Sequence, residues 1–165
     1  MGKIAEKVNV FKQIMGQYPT GVTIVTTIDD SGVPAGLTVN SFASVSIDPL
    51  MVLWCIDKKS SSLSKFVNSK KFAVHTLASD QTDACWTFAG KEQDKFANVN
   101  WEVSKNNLPI LVDSLGVLEC QTVQQIDAGD HIIFLGEVIE LSKKPKEPLL
   151  YFNRNIGKIP VNWPK

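Results

Sequence analysis

The sequence predicts a mainly β protein, built as an antiparallel β-barrel with short peripheral helices. Strand-like segments dominate the 165 residues, and the helical segments between them are short. Strands and helices do not alternate regularly, as they would in a parallel α/β sheet. The strongest hairpin signal lies near the end of the chain, where strand patterns over 114–126 and 131–141 are joined by Asp127-Ala-Gly-Asp130. These observations favour an antiparallel barrel over the other β-rich architectures.

The chain length suits one domain over residues 1–165, in which a helix over 1–16 packs on the barrel. That helix is expected because Ile4, Val8 and Phe11 recur at helical spacing and Gly16 follows them. The apolar fraction of 44% and the charged fraction of 21% are ordinary for globular proteins and exclude a disordered chain.

The first hairpin begins after residue 21, where the pattern changes to strand. Residues 22–28 are all β-branched, and Asp29-Asp-Ser-Gly32 has the composition of a turn. The return segment spans 33–45. The next strand, 50–56, is continuously apolar, which predicts burial on both of its faces.

The later segments are shorter and are assigned from local pattern alone. In order they are a polar loop (57–62), a helical stripe (Leu63, Phe66, Val67), a strand (72–77), a helix (79–89) capped near Ser79 or Asp80, an irregular segment (90–109) and a short strand or turn (149–152).

Charge and hydropathy exclude several kinds of partner. Seventeen basic and seventeen acidic residues cancel, so no nucleic-acid partner is expected, and Arg154 is the single arginine. The longest apolar run has seven residues, whereas a membrane span needs about 20, so no membrane partner and a cytoplasmic location are expected.

Three cysteines without a C-x-x-C pair indicate reduced thiols, and two histidines do not make a zinc site, so no metal is expected.

Two polar clusters, 38–44 and 60–62, adjoin strands that should be buried. Hydroxyl groups, an amide and loop N–H groups can form an anion-binding surface, with Lys58 or Lys59 to balance a phosphate. The alternative is that these residues only complete turns, because Ser and Thr side chains satisfy backbone groups there. The residues themselves leave both interpretations open.

Several segments resemble one family in order and spacing. They are Pro19-Thr-Gly-Val-Thr-Ile-Val-Thr26, the run from Ser31 to Phe42, Ser44-Val-Ser-Ile-Asp-Pro49, Ser60 to Leu63, Phe88-Ala89, Leu118-Glu-Cys120, Gly129-Asp-His131 and Gly136-Glu-Val138. Over residues 11 to 154 the chain resembles the flavin reductase-like family. The resemblance implies a short-chain NAD(P)H:flavin oxidoreductase with an FMN-binding split barrel.

The resemblance also implies roles for individual residues. The flavin ring edge and ribityl chain would be held by Thr38, Val39, Asn40 and Ser41, and the ring would lie over Cys55 and Ile56. The phosphate would be received by Ser60, Ser61 and Ser62. Two further residues would lie near the flavin, Phe88 and Ala89. His131, Tyr151 and Arg154 would meet the nicotinamide nucleotide. The family's usual Tyr- and Arg-rich stretch reads Tyr151-Phe-Asn-Arg-Asn155 here, so part of that pattern is missing.

The implied reaction is hydride transfer from NADH or NADPH to FMN, with FAD possible. No catalytic residue is expected, because the reacting atoms belong to the two cofactors. The resemblance implies a homodimer and a partner monooxygenase that uses the reduced flavin. Two alternatives are a flavoprotein that keeps FMN tightly bound as an electron carrier or sensor, and a flavin-free barrel that binds a small apolar ligand.

Overall fold

The computed structural model describes residues 2–91 and 94–163. Within these ranges no helix is long and apolar enough to cross a membrane. In chain order the elements are α1 (Gly2–Gly16), β1 (Thr20–Gly21), β2 (Thr23–Ile28), β3 (Pro34–Val39), β4 (Ala43–Ile47), β5 (Leu50–Asp57), α2 (Leu63–Asn68), β6 (Lys71–Thr76), α3 (Thr82–Ala89), β7 (Trp101–Val103), β8 (Pro109–Leu111), β9 (Gly116–Ala128), β10 (His131–Lys143), β11 (Leu150–Phe152) and β12 (Asn155–Gly157).

The main sheet has seven strands in the order β3-β2-β6-β9-β10-β5-β4, and every neighbouring pair is antiparallel. The predicted mainly β, antiparallel fold is confirmed. Ser41, just after the edge strand β3, bonds β5 near the opposite edge. Its hydroxyl accepts from the Cys55 N–H at 3.0 Å and donates to the Cys55 carbonyl at 3.1 Å. One side chain therefore joins the two ends of the curved sheet.

An aromatic core fills the inside of this sheet. The Trp54 ring centroid lies 4.9 Å from those of Phe66 and Phe134 and 5.8 Å from that of Phe72. All four side chains are almost fully buried. We call this cluster the inner core. A second cluster, the outer core, lies on the other side of β2 and β6 and includes Ile24 and Phe88 of α3.

Gly136 shows how tightly the inner core is packed. A Cβ atom at Gly136 would lie 2.4 Å from Cζ of Phe72, well inside van der Waals contact. We expect Gly136→Ala to lower the free energy of unfolding by about 1–3 kcal/mol, the usual cost of overpacking a core. Urea denaturation measures this difference. Gly157→Ala is the matched control because nothing lies within 4 Å of its added Cβ. Equal stability of the two variants would contradict the packing.

Helix α1 forms where the sequence predicts it, but the expected packing on the barrel is not found within one chain. Its apolar side chains point outward, and Ile4 and Phe11 are 73% and 64% exposed. The end of the helix is fixed by the Asn153 N–H, which donates to the Gly16 carbonyl at 2.7 Å. A helix with this composition is stabilised mainly by tertiary contact, and within this chain the apolar side of α1 is left exposed.

Strand β5 corrects the prediction of burial on both faces. Val52, Trp54 and Ile56 are buried in the inner core, whereas Leu53 and Cys55, which alternate with them, are only half-buried. The run is continuously apolar because one face fills the barrel while the other presents an apolar surface. We call this second face the outer face of β5.

Two further expectations were wrong in detail. Helix α3 begins at Thr82 after Gln81, which makes no side-chain cap bond, and Asp80 pairs with Lys146 at 3.0 Å rather than capping the helix. The supposedly irregular segment 90–109 contains β7, which pairs with β8. Each of these strands has three residues, too few to show a period in the sequence.

Candidate functional site

The end of β3 is positioned by contacts on both sides of the sheet. The Thr38 hydroxyl donates to the Cys85 carbonyl of α3 at 2.7 Å, and the Val39 carbonyl accepts from the Thr23 hydroxyl at 2.9 Å. Asn40, the next residue, is exposed. The strand end is therefore held firmly while its last polar side chain remains accessible to a ligand.

Ser41 brings the end of β3 against β5, as the sequence-based site requires. The bonded Cys55 lies on the outer face, and burial raises the pKa of its thiol although the Ser41 bond opposes the shift. The thiol is therefore neutral near pH 7 and offers an apolar contact. Ile56 is 1% exposed within the inner core, so its side chain does not reach a ligand beside Cys55. Only its backbone remains available.

The segment Ser60–Ser61–Ser62, called the serine loop below, begins three residues after β5 ends at Asp57. The Ser60 hydroxyl accepts from the Ser62 N–H at 3.3 Å, and the Ser60 N–H donates to the Asp57 carbonyl at 2.9 Å. Ser60 therefore builds the turn. Ser61 and Ser62 instead line a cavity of about 890 Å³ together with Gly36 of β3. We call this space the large cavity.

Of the two lysines expected to balance a phosphate, Lys58 is bound elsewhere, whereas Lys59 stays a prediction. The Lys58 ammonium donates to the Asp127 carboxylate at 2.7 Å and to the Gly129 carbonyl at 2.6 Å, so it holds the turn between β9 and β10. Different lysines line the large cavity: Lys65, Lys91 and Lys95. No motif marks them in the sequence, because two of them lie in the segment predicted to be irregular and the third lies on α2.

Phe88 and Ala89 lie at the end of α3. The Phe88 ring is buried against Gly36, where an added Cβ would lie 2.6 Å from Cε1 of the ring. Phe88 therefore supports the wall of the large cavity from behind and is too deeply buried to face a ligand itself. Ala89 is exposed.

His131 begins β10 and pairs with Asp57 of β5, three residues before Ser60. Because side chains alternate along a strand, His131 lies on the same face as Ile133, which pairs with Cys55. Its Nδ1 lies 2.8 Å from the Asp130 carboxylate, and this hydrogen bond lowers the pKa of Asp130. With Nδ1 donating to Asp130, Nε2 is directed away from the pair.

The structure separates the other two residues assigned to the nicotinamide from His131. Tyr151 of β11 pairs with Thr20 of β1 and packs against the outer core. Arg154 lies in the following turn with φ of 64° and lines a cavity of about 320 Å³ with Lys12 of α1. One chain therefore does not bring these three residues to a common cavity.

His75 has no evident ligand role. It is fully buried, its Nδ1 lies 3.0 Å from the Ile24 carbonyl, and burial lowers its pKa to about 4. The ring is therefore neutral near pH 7 and belongs to the packing between β6 and β2. Over the part of the chain that the structure describes, no three metal-ligating side chains come together.

Comparison with known proteins agrees with this geometry. Residues 15–160 match the family model described as "Flavin reductase like domain". The chain belongs to the flavin reductase-like family. The predicted resemblance is confirmed, and it covers the described strands from β1 to β12.

Two curated relatives of this flavin reductase-like chain are similar over most of its length. The reductase subunit HsaB of a flavin-dependent monooxygenase from Rhodococcus jostii is 41% identical over 143 residues, 86% of this chain and 73% of the relative. The FMN reductase (NADH) SmoA from Agrobacterium fabrum is 38% identical, over 90% of this chain and 84% of the relative.

A solved structure gives the same result for the fold. The NADH:FAD oxidoreductase SgcE6 from Streptomyces globisporus, determined with NAD and FAD fragments, superposes with a TM-score of 0.87 at 33% identity. The match covers 92% of this chain and 92% of that one. The split-barrel fold implied by the family resemblance is thus confirmed.

The residues of the site fit a flavin nucleotide. Two serine hydroxyls and three lysines line the large cavity, and the Cys55 residue that Ser41 bonds carries a neutral thiol. Hydroxyls and cations suit a phosphate, and an apolar strand face suits a planar ring system.

Proposed function

We propose that this chain transfers hydride from NADH or NADPH to FMN, or to FAD, and supplies reduced flavin to a partner monooxygenase. The observation that carries the proposal is the serine loop, whose Ser61 and Ser62 open into a lysine-lined cavity where β5 ends. The relatives named as flavin reductases and as monooxygenase reductase subunits support the same activity.

The proposed binding mode follows the strand ends. Ser61 and Ser62 hold the flavin phosphate, while Thr38, Val39, Asn40 and Ser41 border the ribityl chain and the ring edge. Cys55 contacts the ring from the outer face of β5. The flavin, when bound, supplies the atom that accepts the hydride. The protein's contribution is to orient the two rings and to exclude water from between them.

His131 is the proposed positioning residue for the nicotinamide. It lies on the Cys55 face, and Asp130 fixes the orientation of its ring through Nδ1. Nε2 can then meet the carboxamide of the nicotinamide. Tyr151 and Arg154 lie elsewhere in one chain, so any role in nicotinamide binding requires them to come from a second subunit.

We further propose a homodimer that covers the outer face of β5. Leu53 pairs with Leu135 and Cys55 with Ile133, and all four side chains are only half-buried in one chain. Nearby, Ile47 of β4 is 87% exposed. A contiguous apolar surface of this kind is typical of a protein interface. The exposed apolar side chains of α1 provide further material for it.

Sedimentation velocity tests the dimer. At micromolar concentration we expect the wild type to be a dimer and Leu135→Glu to be a monomer with weakened flavin binding, because a carboxylate would be buried in the interface. Val161→Glu is the control, since Val161 is fully exposed near the end of the described chain. A wild type that sediments as a monomer with flavin bound would contradict the proposal.

Steady-state oxidation of the nicotinamide nucleotide tests the reaction itself. NADH and NADPH are each combined with catalytic protein and either FMN or FAD in excess. We expect the rate to rise with added flavin and to saturate, because the flavin is a substrate that leaves after reduction. A rate independent of added flavin would indicate a retained cofactor and the electron-carrier alternative.

A further inference from the structure

The large cavity extends beyond the residues that border the proposed flavin ring. Thr38, Asn40 and Cys55 are absent from its walls, whereas Ser61 and Ser62 are present. A flavin monophosphate held along β3 would therefore reach this cavity only with its phosphate. The cavity's volume of about 890 Å³ is more space than a phosphate group occupies and is within the usual range of small-molecule sites.

One side of the large cavity is aromatic and rigidly supported. Trp101 of β7 lines it and is half-buried. Its ring centroid lies 5.2 Å from that of Phe96, which lies 5.0 Å from that of Phe88. These edge-to-face contacts fix the indole in place. A fixed, partly exposed indole is a suitable surface for stacking a nucleobase.

The charged groups on the described walls are mostly cations. Lys95 is held by its bonds to the Phe88 and Gly36 carbonyls, at 2.9 and 3.4 Å, and Lys65 lies 3.2 Å from Asp29. Lys91 is exposed. The Asp94 carboxylate also lines the cavity but accepts the Phe96 N–H at 3.0 Å. Three ammonium groups against two carboxylates, Asp94 and the Asp29 that pairs with Lys65, leave a net positive charge that suits a ligand with two linked phosphates.

We infer that the large cavity binds the adenosine monophosphate half of FAD and gives the protein a preference for FAD over FMN. FAD differs from FMN by an adenosine monophosphate joined to the flavin phosphate, which is the group placed at Ser61 and Ser62. The inference rests on the proposed flavin site. Nicotinamide dinucleotides carry the same adenosine monophosphate, but the shared serine wall assigns the cavity to the flavin nucleotide.

Binding measurements without nicotinamide test the inference separately from the activity. Titration calorimetry with FMN and FAD is expected to give a dissociation constant about tenfold lower for FAD in the wild type. Ala97→Trp fills the cavity from an exposed position on its wall. We expect it to weaken FAD about tenfold and to leave FMN within about twofold.

Two further variants address the chemistry of the walls. Trp101→Leu removes the stacking surface, and Lys91→Ala removes a cation, so each should weaken FAD selectively. Lys143→Ala is the matched control, because Lys143 is exposed at the end of β10 and does not line this cavity. Thermal melting of each variant verifies that it is folded.

The remaining outcomes overturn the inference. If the cavity variants weakened FMN and FAD binding equally, the cavity would bind only the phosphate that both ligands share. Unchanged FAD binding in Ala97→Trp would show that no ligand group enters it. A raised KM for NADH in Ala97→Trp, measured with FMN as the flavin, would assign the cavity to the nicotinamide dinucleotide. Failure of the proposed function itself would be distinct: the wild type would bind neither flavin.

Discussion

The Ser61→Ala/Ser62→Ala double variant is expected to bind FMN at least about tenfold more weakly than the wild type, and to bind riboflavin equally well. Riboflavin lacks the phosphate, so the difference between the two ligands isolates the phosphate contacts. A hydrogen bond to a charged acceptor contributes about 1.5–3 kcal/mol, and two of them together exceed a tenfold effect. Titration calorimetry with both ligands measures the ratio.

The structure sharpens the choice of residues for this experiment. Ser60 is left intact because its hydroxyl accepts the Ser62 N–H and supports the turn. Ser64→Ala is the matched control, since Ser64 is an exposed serine on α2 that does not line the large cavity. If the double variant weakened FMN and riboflavin by the same factor, the serine loop would be a turn without a role in phosphate binding.

For His131→Ala we expect flavin reduction by NAD(P)H to slow by about tenfold or more at subsaturating nucleotide, with flavin affinity unchanged. Tenfold corresponds to about 1.4 kcal/mol, the scale of one positioning contact. Rapid mixing of the oxidised flavin complex with NADH, followed by flavin bleaching, measures the rate. The melting temperature should stay near that of the wild type because the His131 side chain is 42% exposed.

Asp130→Asn provides a graded comparison for His131. It keeps the ring but replaces the carboxylate that accepts the hydrogen bond at 2.8 Å. We expect an intermediate rate, because the imidazole is present but less firmly oriented. A wild-type reduction rate in His131→Ala, together with a lowered melting temperature, would show that the residue only stabilises the end of β10.

The sequence predicted the long hairpin of β9 and β10 well because its signals are local. Gly129 adopts φ of 68°, as a tight turn requires, and the flanking strands are 13 residues each. The polar loop after β5 was also predicted, since it follows the most apolar strand, while its role in phosphate binding stays a prediction. Both features depend on consecutive residues, so they can be recognised from the local sequence without knowledge of tertiary contacts.

The two cores and the cavity walls could not be predicted in the same way. Lys91, Lys95 and Trp101 come together through β7, whose three residues show no period, and through backbone bonds made by the Lys95 ammonium. Lys58 was one of two lysines proposed for a phosphate because it is close to the serine loop in sequence, but its partner Asp127 is 69 residues away. Long-range pairs of this kind leave no trace in local composition.

The error on β5 has a related cause. A continuous apolar run is typical of a strand buried on both faces within one chain. Here Leu53 and Cys55 instead form an apolar surface that stays half-open in one chain. The sequence records that the surface is apolar, but not whether the same chain, a ligand or a second subunit covers it.

A crystal structure of the protein with FMN tests the site most directly. We expect phosphate oxygens within hydrogen-bond distance, about 2.5–3.0 Å, of the Ser61 and Ser62 hydroxyls. We expect the ring between Asn40 and Cys55, and, with FAD in place of FMN, adenine against Trp101. A phosphate bound away from the serine loop, or a ring bound away from the ends of β3 and β5, would contradict the flavin site.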